Sequence, residues 1–168
     1  IAIHSGILPS SSRIAKKIGE CEWLLCASPD YLEKYGTPQQ PKDLMNHRCF
    51  IFSFASPWNK WAFIQDGLGV TTPVKPRGSF TQGELLRDMA KSGAGIVRLA
   101  DFHIGKDIQE GSLVLLLDEY KAEIREPIYL LYSDRKHLSP RIRVFIEFFH
   151  EKWIAHPWNV VRGLPEAT

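Results

Sequence analysis

A threonine, a glutamine and a glycine stand where the sequence predicts a helix to begin, and these residues are the best placed to bind a ligand. Thr81, Gln82 and Gly83 lie in the stretch GSFTQGELLRDMAKSGAGIVRLAD, residues 78–101. The first amide N–H groups of a helix lack intrahelical partners, and the positive end of the helix dipole lies behind them. Such a terminus can bind an anion. The alternative is that Thr81 only caps the helix, and the local pattern leaves both open.

The helix that must position these residues is predicted over residues 83–92. Its apolar side chains recur at helical spacing, on the stripe Leu85, Leu86, Met89 and Ala90. Thr81 and Glu84 complete a T-x-x-E capping box. Gly93 and Gly95 are predicted to end the helix and to allow the left-handed turn into a buried strand over residues 96–99.

No arrangement typical of an enzyme or a metal site stands out. Cys21, Cys26 and Cys49 form no C-x-x-C pair, and the six histidines show no ligand spacing. A nucleophile elbow, a P-loop and a dinucleotide-binding glycine motif are all absent from the sequence. We therefore expect no enzyme activity, no metal and no cofactor. Three reduced thiols are typical of a cytosolic protein.

Composition and charge describe an ordinary globular chain. The 168 residues are 44% hydrophobic and carry a formal net charge of +2. This length allows one or two small domains with a core, and the charge is too small to predict a nucleic-acid surface. No apolar run reaches the ~18 residues that a membrane span needs. The chain starts abruptly with Ile1-Ala2-Ile3, so we expect it to be part of a longer protein.

Strands and helices alternate along the chain, which predicts an α/β fold with mainly parallel strands. The predicted strands include residues 1–4, 22–27, 49–54, 113–117 and 128–132. The first of them looks buried on both faces. Ser28 and Pro29 predict the start of a helix that ends at Gly36. Asp66-Gly67 predicts the turn of a hairpin.

Aromatic residues predict two packed elements. Trp61 and Phe63 are expected in the core, on one face of a strand. A helix is predicted over residues 141–153, and its inward stripe is Ile142, Phe145, Ile146, Phe149 and Trp153. Phe148 falls about 100° from its neighbour on this stripe, so we expect it to be exposed or at a contact. A shorter helix over residues 103–110 is expected to end at Gly111.

Six segments of the chain occur in the order and spacing of one protein family. They are IAIHSGILPSSS, LLCASPDYLEKYGTPQQPKDLMNHRCFIF, the W-x-F at residues 61–63, GSFTQGELLRDMAKSGAGIVRLADF, DIQEGSLVLLL and IYLLYSDRKHLSPRIRVFIEFF. Each segment alone is common, whereas six in order are specific. Together they cover nearly all of residues 1–153. The chain resembles the C-terminal effector-binding domain of LysR-type transcriptional regulators.

The resemblance implies a fold like that of periplasmic binding proteins. Two Rossmann-like α/β subdomains would be joined by two crossing strands, with a small ligand in the cleft between them. Residues 1–27 and 127–153 would form an incomplete first subdomain with the hinge strands, and residues 28–126 the complete second one. The opening strands and helices of the first subdomain and the N-terminal winged helix-turn-helix are missing. Residues 154–168 have no family counterpart and are expected to be an irregular tail.

The resemblance also implies a function. The domain would sense a small effector, for which an anion is one option, and would take part in oligomerisation to modulate DNA binding and transcription. The implied partners are the effector, further copies in a homodimer or tetramer, DNA through the missing N-terminal domain, and RNA polymerase. The location would be the cytoplasm, away from membranes. The alternative is the solute-binding protein of a transport system, which shares the cleft architecture.

The ligand-binding residues expected on this basis are Pro9, Ser10, Phe54, Thr81, Gln82, Gly83, Arg98 and Leu99. Three positions depart from the family pattern. Ala100 replaces a usual proline, Arg98 replaces a usual aliphatic residue, and Thr81-Gln82 stands where Asn-Asp is frequent. Arg98 could supply a positive charge for an anionic effector. The alternative is that Arg98 is a solvent-facing strand residue.

Overall fold

The computed structural model describes residues 1–8, 13–122, 124–132 and 140–155, and within them the chain forms two compact units. The first unit comprises the described residues of Ile1–Glu22 and Ile124–Trp158. The second unit comprises those of Trp23–Glu123. The assignment of these units to the two subdomains expected from the resemblance stays a prediction.

The first unit contains an antiparallel sheet and one long helix. Strand β1 (Ala2–Ser5) pairs with β9 (Arg125–Tyr132), and β9 pairs with the first part of β2 (Ile14–Ala27). The expectation that residues 1–4 are buried on both faces is wrong. Ile1 and Ile3 are 53% and 56% exposed, because β1 is the edge strand and pairs only with β9.

Strand β2 is longer than the sequence predicted. Its 14 residues form one continuous strand, whereas only residues 22–27 were expected to be a strand. Lys16 and Lys17 interrupt the apolar pattern from which a strand is predicted. Both residues nevertheless pair with β9, because the backbone hydrogen bonds of a strand do not require buried side chains. Beyond Glu22, β2 leaves β9 and pairs antiparallel with β7 (Ile96–Ala100), from Trp23 opposite Ala100 to Cys26 opposite Val97.

The sheet of the second unit is mixed, and its parallel strands lie together on one side, where β6 is the edge strand. Strand β3 (Cys49–Phe52) lies between β7 and β6 (Pro76–Phe80) and is parallel to both. On the other side of β7 come β2 and the short β8 (Val114–Leu115), which pairs antiparallel with β2. The strand predicted over residues 113–117 is therefore shorter, because Leu117 adopts the left-handed conformation (φ 54°) and turns the chain.

Helices and a hairpin cover the two faces of this sheet. Helices α2 (Gly83–Lys91) and α3 (Asp101–Gln109) pack on one face, which we call the helix-side core. Helix α1 (Pro29–Tyr35) and the hairpin of β4 (Ala62–Gln65) and β5 (Leu68–Thr71) pack on the other, the hairpin-side core. Each strand supplies both faces because its side chains alternate.

Short-range signals place several of these elements correctly. The Ser28 hydroxyl accepts a hydrogen bond from the Tyr31 amide at 3.3 Å, and Gly36 ends helix α1 with φ 80°. Asp66 and Gly67 both have positive φ values, 52° and 75°, as a type I′ hairpin turn requires. The predictions of helix α1 and of the hairpin are therefore confirmed.

The last helix, α4 (Pro140–Ala155), exists as predicted, but it buries a narrower face. Ile146 is buried, whereas Phe145 is 45% exposed and stacks on the ring of Phe149 at 5.9 Å. The inward position expected for Phe145 is therefore wrong. Phe148 is 56% exposed, as expected. The helix runs to Ala155, so residues 154 and 155 are not irregular, and residues 156–168 lie outside the described part of the chain.

A buried carboxylate joins the two helices of the helix-side core. The side chain of Asp107 on α3 is 1% exposed and accepts hydrogen bonds from Arg87 and from Lys91 on α2, the latter at 2.6 Å. Burial acts to raise the pKa of Asp107, but the hydrogen bonds and charges of Arg87 and Lys91 outweigh it and lower the pKa from 3.8 to about 2. The pair of helices is therefore held together by the ionised form.

We expect Asp107→Asn to lower the free energy of unfolding at pH 7 by about 2 kcal/mol, the equivalent of the pKa difference between the unfolded and folded chains. The folded pKa is depressed, so this stabilisation is present above about pH 4 and is lost as the pH falls through about 2. Urea unfolding of both proteins from pH 7 to pH 2 measures the difference. Asp88→Asn, at an exposed position of α2, is the matched control. If the parent were still more stable than Asp107→Asn by the same amount at pH 2, the stabilisation would not depend on the ionisation of Asp107.

Candidate functional site

Three parallel strands of the second unit end at the same edge of the sheet. Strands β3, β6 and β7 end at Phe52, Phe80 and Ala100, and helices α2 and α3 begin directly after β6 and β7. Ligands of open α/β sheets bind outside the carboxyl ends of the strands. We therefore take this carboxyl edge as the candidate site.

The start of α2 lies at this edge, but Thr81 does not cap it. The N-cap residue is Gln82, in an extended conformation, and no side-chain hydrogen bond caps the helix. The predicted T-x-x-E capping box is therefore wrong, because β6 ends at Phe80 and the helical hydrogen bonding starts one residue later than the pattern suggested. Thr81 and Gln82 are both exposed. Their polar side chains are left at the surface of the carboxyl edge.

The ring of His103 packs closely against Gly83 at the first turn of α2. A Cβ atom added to Gly83 would lie 2.6 Å from Nε2 of His103 on α3. The side chain of His103 is 19% exposed and its Nδ1 lies 3.8 Å from a carboxylate oxygen of Glu84. Burial lowers the pKa of His103, which favours the neutral imidazole at pH 7. Sequence reasoning did not select His103, since its spacing carries no motif.

An asparagine fixes the segment that follows β3. The Asn59 side chain accepts a hydrogen bond from the Phe52 amide at 2.9 Å and donates to the carbonyl oxygens of Phe52 at 2.9 Å and Phe54 at 3.1 Å. Phe54, whose side chain is 42% exposed, is thereby held at the carboxyl edge. Ser56 caps the short 3-10 helix Pro57–Asn59 that carries Asn59. Sequence reasoning missed Asn59, because its three hydrogen bonds reach residues that no local pattern connects to it.

Arg98 contacts one aromatic ring and two backbone carbonyl groups near the end of β7. The guanidinium of Arg98 lies 5.6 Å from the Trp23 ring, and Nη1 donates to the carbonyl oxygens of Trp58 at 3.3 Å and Lys60 at 3.4 Å. Trp23 and Trp58 stack at 4.9 Å. Arg98 is therefore not simply a solvent-facing strand residue. It binds the 3-10 helix segment to the sheet, and its role toward a ligand stays a prediction.

The remaining predicted site residues fall in different places. Leu99, one residue before the end of β7, is fully buried in the helix-side core, and its role toward a ligand stays a prediction. Pro9 and Ser10 lie outside the described residues. The structure thus places Phe54, Thr81, Gln82 and Gly83 at one edge of the second unit, with Arg98 two residues before the end of β7.

The described residues show no constellation for metal binding or thiol chemistry. Among them, no group of three or more His, Cys, Asp or Glu side chains is arranged to hold a metal ion. The cysteines among the described residues, Cys21, Cys26 and Cys49, form no disulfide bond, and all three are buried. Burial raises the pKa of Cys26, and it raises the pKa of Cys49 to about 12, so both thiols stay protonated at neutral pH. None of the helices in the described ranges is long and apolar enough to cross a membrane.

Comparison with known proteins decides the family. The profile of the LysR substrate binding domain matches residues 1–154. The chain belongs to this family. The chain is therefore an effector-binding domain of the kind found in LysR-type transcriptional regulators. The predicted fold, which is like that of periplasmic binding proteins, is confirmed.

Individual LysR-type regulators agree with this assignment. The chain is 36% identical over 152 residues to the regulator CrgA of Neisseria meningitidis. The aligned region covers 90% of the chain and 50% of CrgA. The chain is 31% identical over 149 residues to the activator AaeR of Escherichia coli, covering 87% of the chain and 47% of AaeR. The chain thus spans about half the length of the curated relatives that it matches.

Solved LysR-type domains have the same fold. The CrgA regulatory domain superposes with a TM-score of 0.83 at 35% identity, covering 89% of the chain and 73% of that domain. The regulatory domain of AphB from Vibrio vulnificus gives a TM-score of 0.71 at 31% identity, covering 92% of the chain and 74% of that domain. These relatives are transcriptional regulators, so the alternative of a transport protein is not supported.

Proposed function

We propose that the chain senses a small-molecule effector and, in a longer LysR-type regulator, passes the binding event on to DNA binding and transcription. The match of the LysR substrate binding domain over residues 1–154 is the observation that carries this proposal. DNA would be bound by a separate N-terminal domain and RNA polymerase would be a further partner. The protein would act in the cytoplasm and would catalyse no reaction.

The decisive experiment joins ligand binding to DNA binding. A thermal-shift screen of the chain with small carboxylates identifies a ligand, and the full gene product is then titrated onto its promoter DNA with and without that ligand. The proposal expects the ligand to change the affinity for DNA or the footprint on it. A ligand that stabilises the chain but leaves DNA binding and transcription unchanged would contradict the sensing function.

We further propose that the carboxyl edge of the second unit belongs to the effector site. Thr81 and Gln82 are exposed there, the first amides of α2 lack a side-chain cap, and Phe54 and Gly83 lie at the same edge. Unpaired amides at a helix N-terminus favour an anionic group. Pro9, Ser10, Arg98 and Leu99 stay predicted members of the ligand-binding set.

We expect Thr81→Val to weaken binding of an anionic effector by about 1–2 kcal/mol, the scale of one hydrogen bond to a charged group. The substitution removes the hydroxyl and nearly keeps the shape of the side chain. Isothermal titration calorimetry with the ligand found in the screen gives the affinity. Thr71→Val, at an exposed threonine of β5, is the control and should bind as the parent does. Equal affinity of the Thr81 variant and the parent would remove Thr81 from the site.

Self-association is the second part of the proposal, as a homodimer or tetramer. Helix α4 exposes Val144, Phe145 and Phe148, at 64%, 45% and 56%, and the ammonium of Lys152 lies 5.7 Å from the Phe148 ring. We propose that Phe148, Glu147 and Lys152 line the edge of the interface between subunits.

We expect Phe148→Glu to shift the full gene product toward smaller species in sedimentation velocity, because a carboxylate would have to be buried at the contact. The control is Leu68→Glu, at a position of β5 that is 70% exposed. A Phe148→Glu variant that associates as strongly as the parent would show that Phe148 is only a surface residue.

A further inference from the structure

Phe54 combines exposure with a fixed backbone. The Phe54 ring lies in a connecting segment and is 42% exposed, so no protein atoms pack against its open side. The segment is nevertheless tied by the Asn59 amide group, which bonds the Phe52 amide, the Phe52 carbonyl and the Phe54 carbonyl. These bonds replace the strand neighbours that β3 loses when it ends at Phe52. Asn59 therefore holds Phe54 in place where a free loop would let it move.

The ring of Phe54 has a packed side and an open side. Its centroid lies 5.3 Å from that of Phe52, which is 6% exposed, and 6.1 Å from that of Trp58 in an edge-on arrangement. Trp58 in turn stacks on Trp23 at 4.9 Å. The packed side of Phe54 thus belongs to a cluster of rings that contacts the helix-side core, and its other side stays open.

Phe54 lies next to the start of α2. Phe52 and Phe80 are register partners in the parallel pair of β3 and β6, and the Ser53 amide donates to the Phe80 carbonyl at 2.9 Å. Phe54 lies two residues after Phe52, and Gln82 lies two residues after its register partner Phe80. Neighbouring strands are about 4.8 Å apart. The ring therefore stands at the carboxyl edge, within reach of a ligand bound there.

We propose that Phe54 is a specificity-determining residue of the effector site, which selects a ligand with a flat unsaturated ring by stacking, and that Asn59 is the positioning residue for Phe54. The proposal rests on the proposed function, since it assumes that the carboxyl edge binds the effector. Aromatic pairs contribute about 0.5–1.5 kcal/mol beyond the burial of their area. A ring held in advance loses less conformational freedom on binding than a mobile one.

Two probes of equal charge test the stacking. Benzoate and cyclohexanecarboxylate carry the same carboxylate and the same number of carbon atoms, but only benzoate has a flat unsaturated ring. We expect the chain to bind benzoate about three- to tenfold more tightly, in line with the energy of an aromatic pair. Titration calorimetry with both probes gives the ratio of their dissociation constants, which cancels the contribution of the carboxylate.

Substitutions then test whether Phe54 and Asn59 cause the difference in affinity between the two probes. Phe54→Leu keeps an apolar side chain but removes the ring, so the ratio should fall to about one; Phe54→Tyr keeps the ring and should keep the ratio. Asn59→Asp keeps the acceptor and loses both donated hydrogen bonds, so the ratio should fall toward one without loss of the fold. Asn59→Ser is a second variant, and circular dichroism checks that each protein is folded. Leu68→Ala, at an apolar position of β5 that is 70% exposed, is the control and should keep the ratio.

The outcomes separate the parts of the proposal. Equal binding of both probes, binding of neither, or an unchanged ratio in Phe54→Leu overturns the stacking role of Phe54. A lost ratio in Phe54→Leu with an unchanged ratio in both folded Asn59 variants overturns the positioning role of Asn59. The proposed function is judged separately: if benzoate binds with the expected ratio but leaves DNA binding of the full gene product unchanged, the sensing function fails while the stacking site stands.

Discussion

We expect Trp61→Ala to lower the free energy of unfolding by about 3–5 kcal/mol, the range for truncating a large buried aromatic side chain. Trp61 is 1% exposed and packs in the hairpin-side core together with Phe63, which is 5% exposed. The burial predicted for both residues is confirmed. The loss arises because alanine leaves a cavity between the hairpin and the sheet, and the rigid strands on both sides close it only in part.

Urea unfolding, followed by far-ultraviolet circular dichroism, measures this loss. Leu68→Ala, at a position of the same hairpin that is 70% exposed, should change the stability by less than about 0.5 kcal/mol. A loss below about 1 kcal/mol in Trp61→Ala would mean that the hairpin does not pack on the sheet as described.

Gly95→Ala should have a comparably large effect, about 2–4 kcal/mol, through a steric clash with the backbone. A Cβ atom at residue 95 would lie 2.2 Å from the carbonyl oxygen of Arg48 and 2.8 Å from a ring carbon of Phe50. That carbonyl also accepts the Ile96 amide at 2.8 Å, so it cannot move away without losing this bond. Overpacking of a close contact costs about 1–3 kcal/mol and a lost hydrogen bond about 1 kcal/mol more.

The control for Gly95 is a glycine with free space around it. Gly69→Ala, on β5, adds a methyl group that has no atom within 4 Å, and Gly69 does not have a positive φ. Its stability should stay close to that of the parent. If Gly95→Ala unfolds at the same urea concentration as Gly69→Ala, the close approach of β3 and β7 at this point is wrong.

The two glycines after α2 show how far local reasoning reaches. Gly93 has φ 76° and its amide bonds the Ala90 carbonyl, so the left-handed turn predicted there is confirmed. Gly95 does not have a positive φ, and its predicted part in that turn is wrong. It is a glycine because Arg48, distant in the sequence, passes too close for a side chain. A pattern of neighbouring residues contains no information on such a contact.

The same division applies to the site. The sequence by itself determined helix α1, the hairpin turn, the existence of α2 and the family, because caps, turns, helical spacing and ordered motifs depend on residues close along the chain. It also brought Thr81, Gln82 and Gly83 together, since they are adjacent. Their exact roles were not determined, because the boundary between β6 and α2 depends on how β6 pairs with β3.

Only the tertiary structure decided which distant residues meet. Three sets of contacts join separate elements: the bonds of Asn59 to the end of β3, the contacts of Arg98 with the Trp23 ring and the Trp58 carbonyl, and the contact of Gly83 with His103. The tertiary structure also joined the two parts of β2 into one strand and left Phe145 exposed. The physical reason is common to all of them. Hydrogen bonds, close contacts and burial depend on the packing of whole elements, and packing is a property of the sheet and its layers rather than of a local pattern.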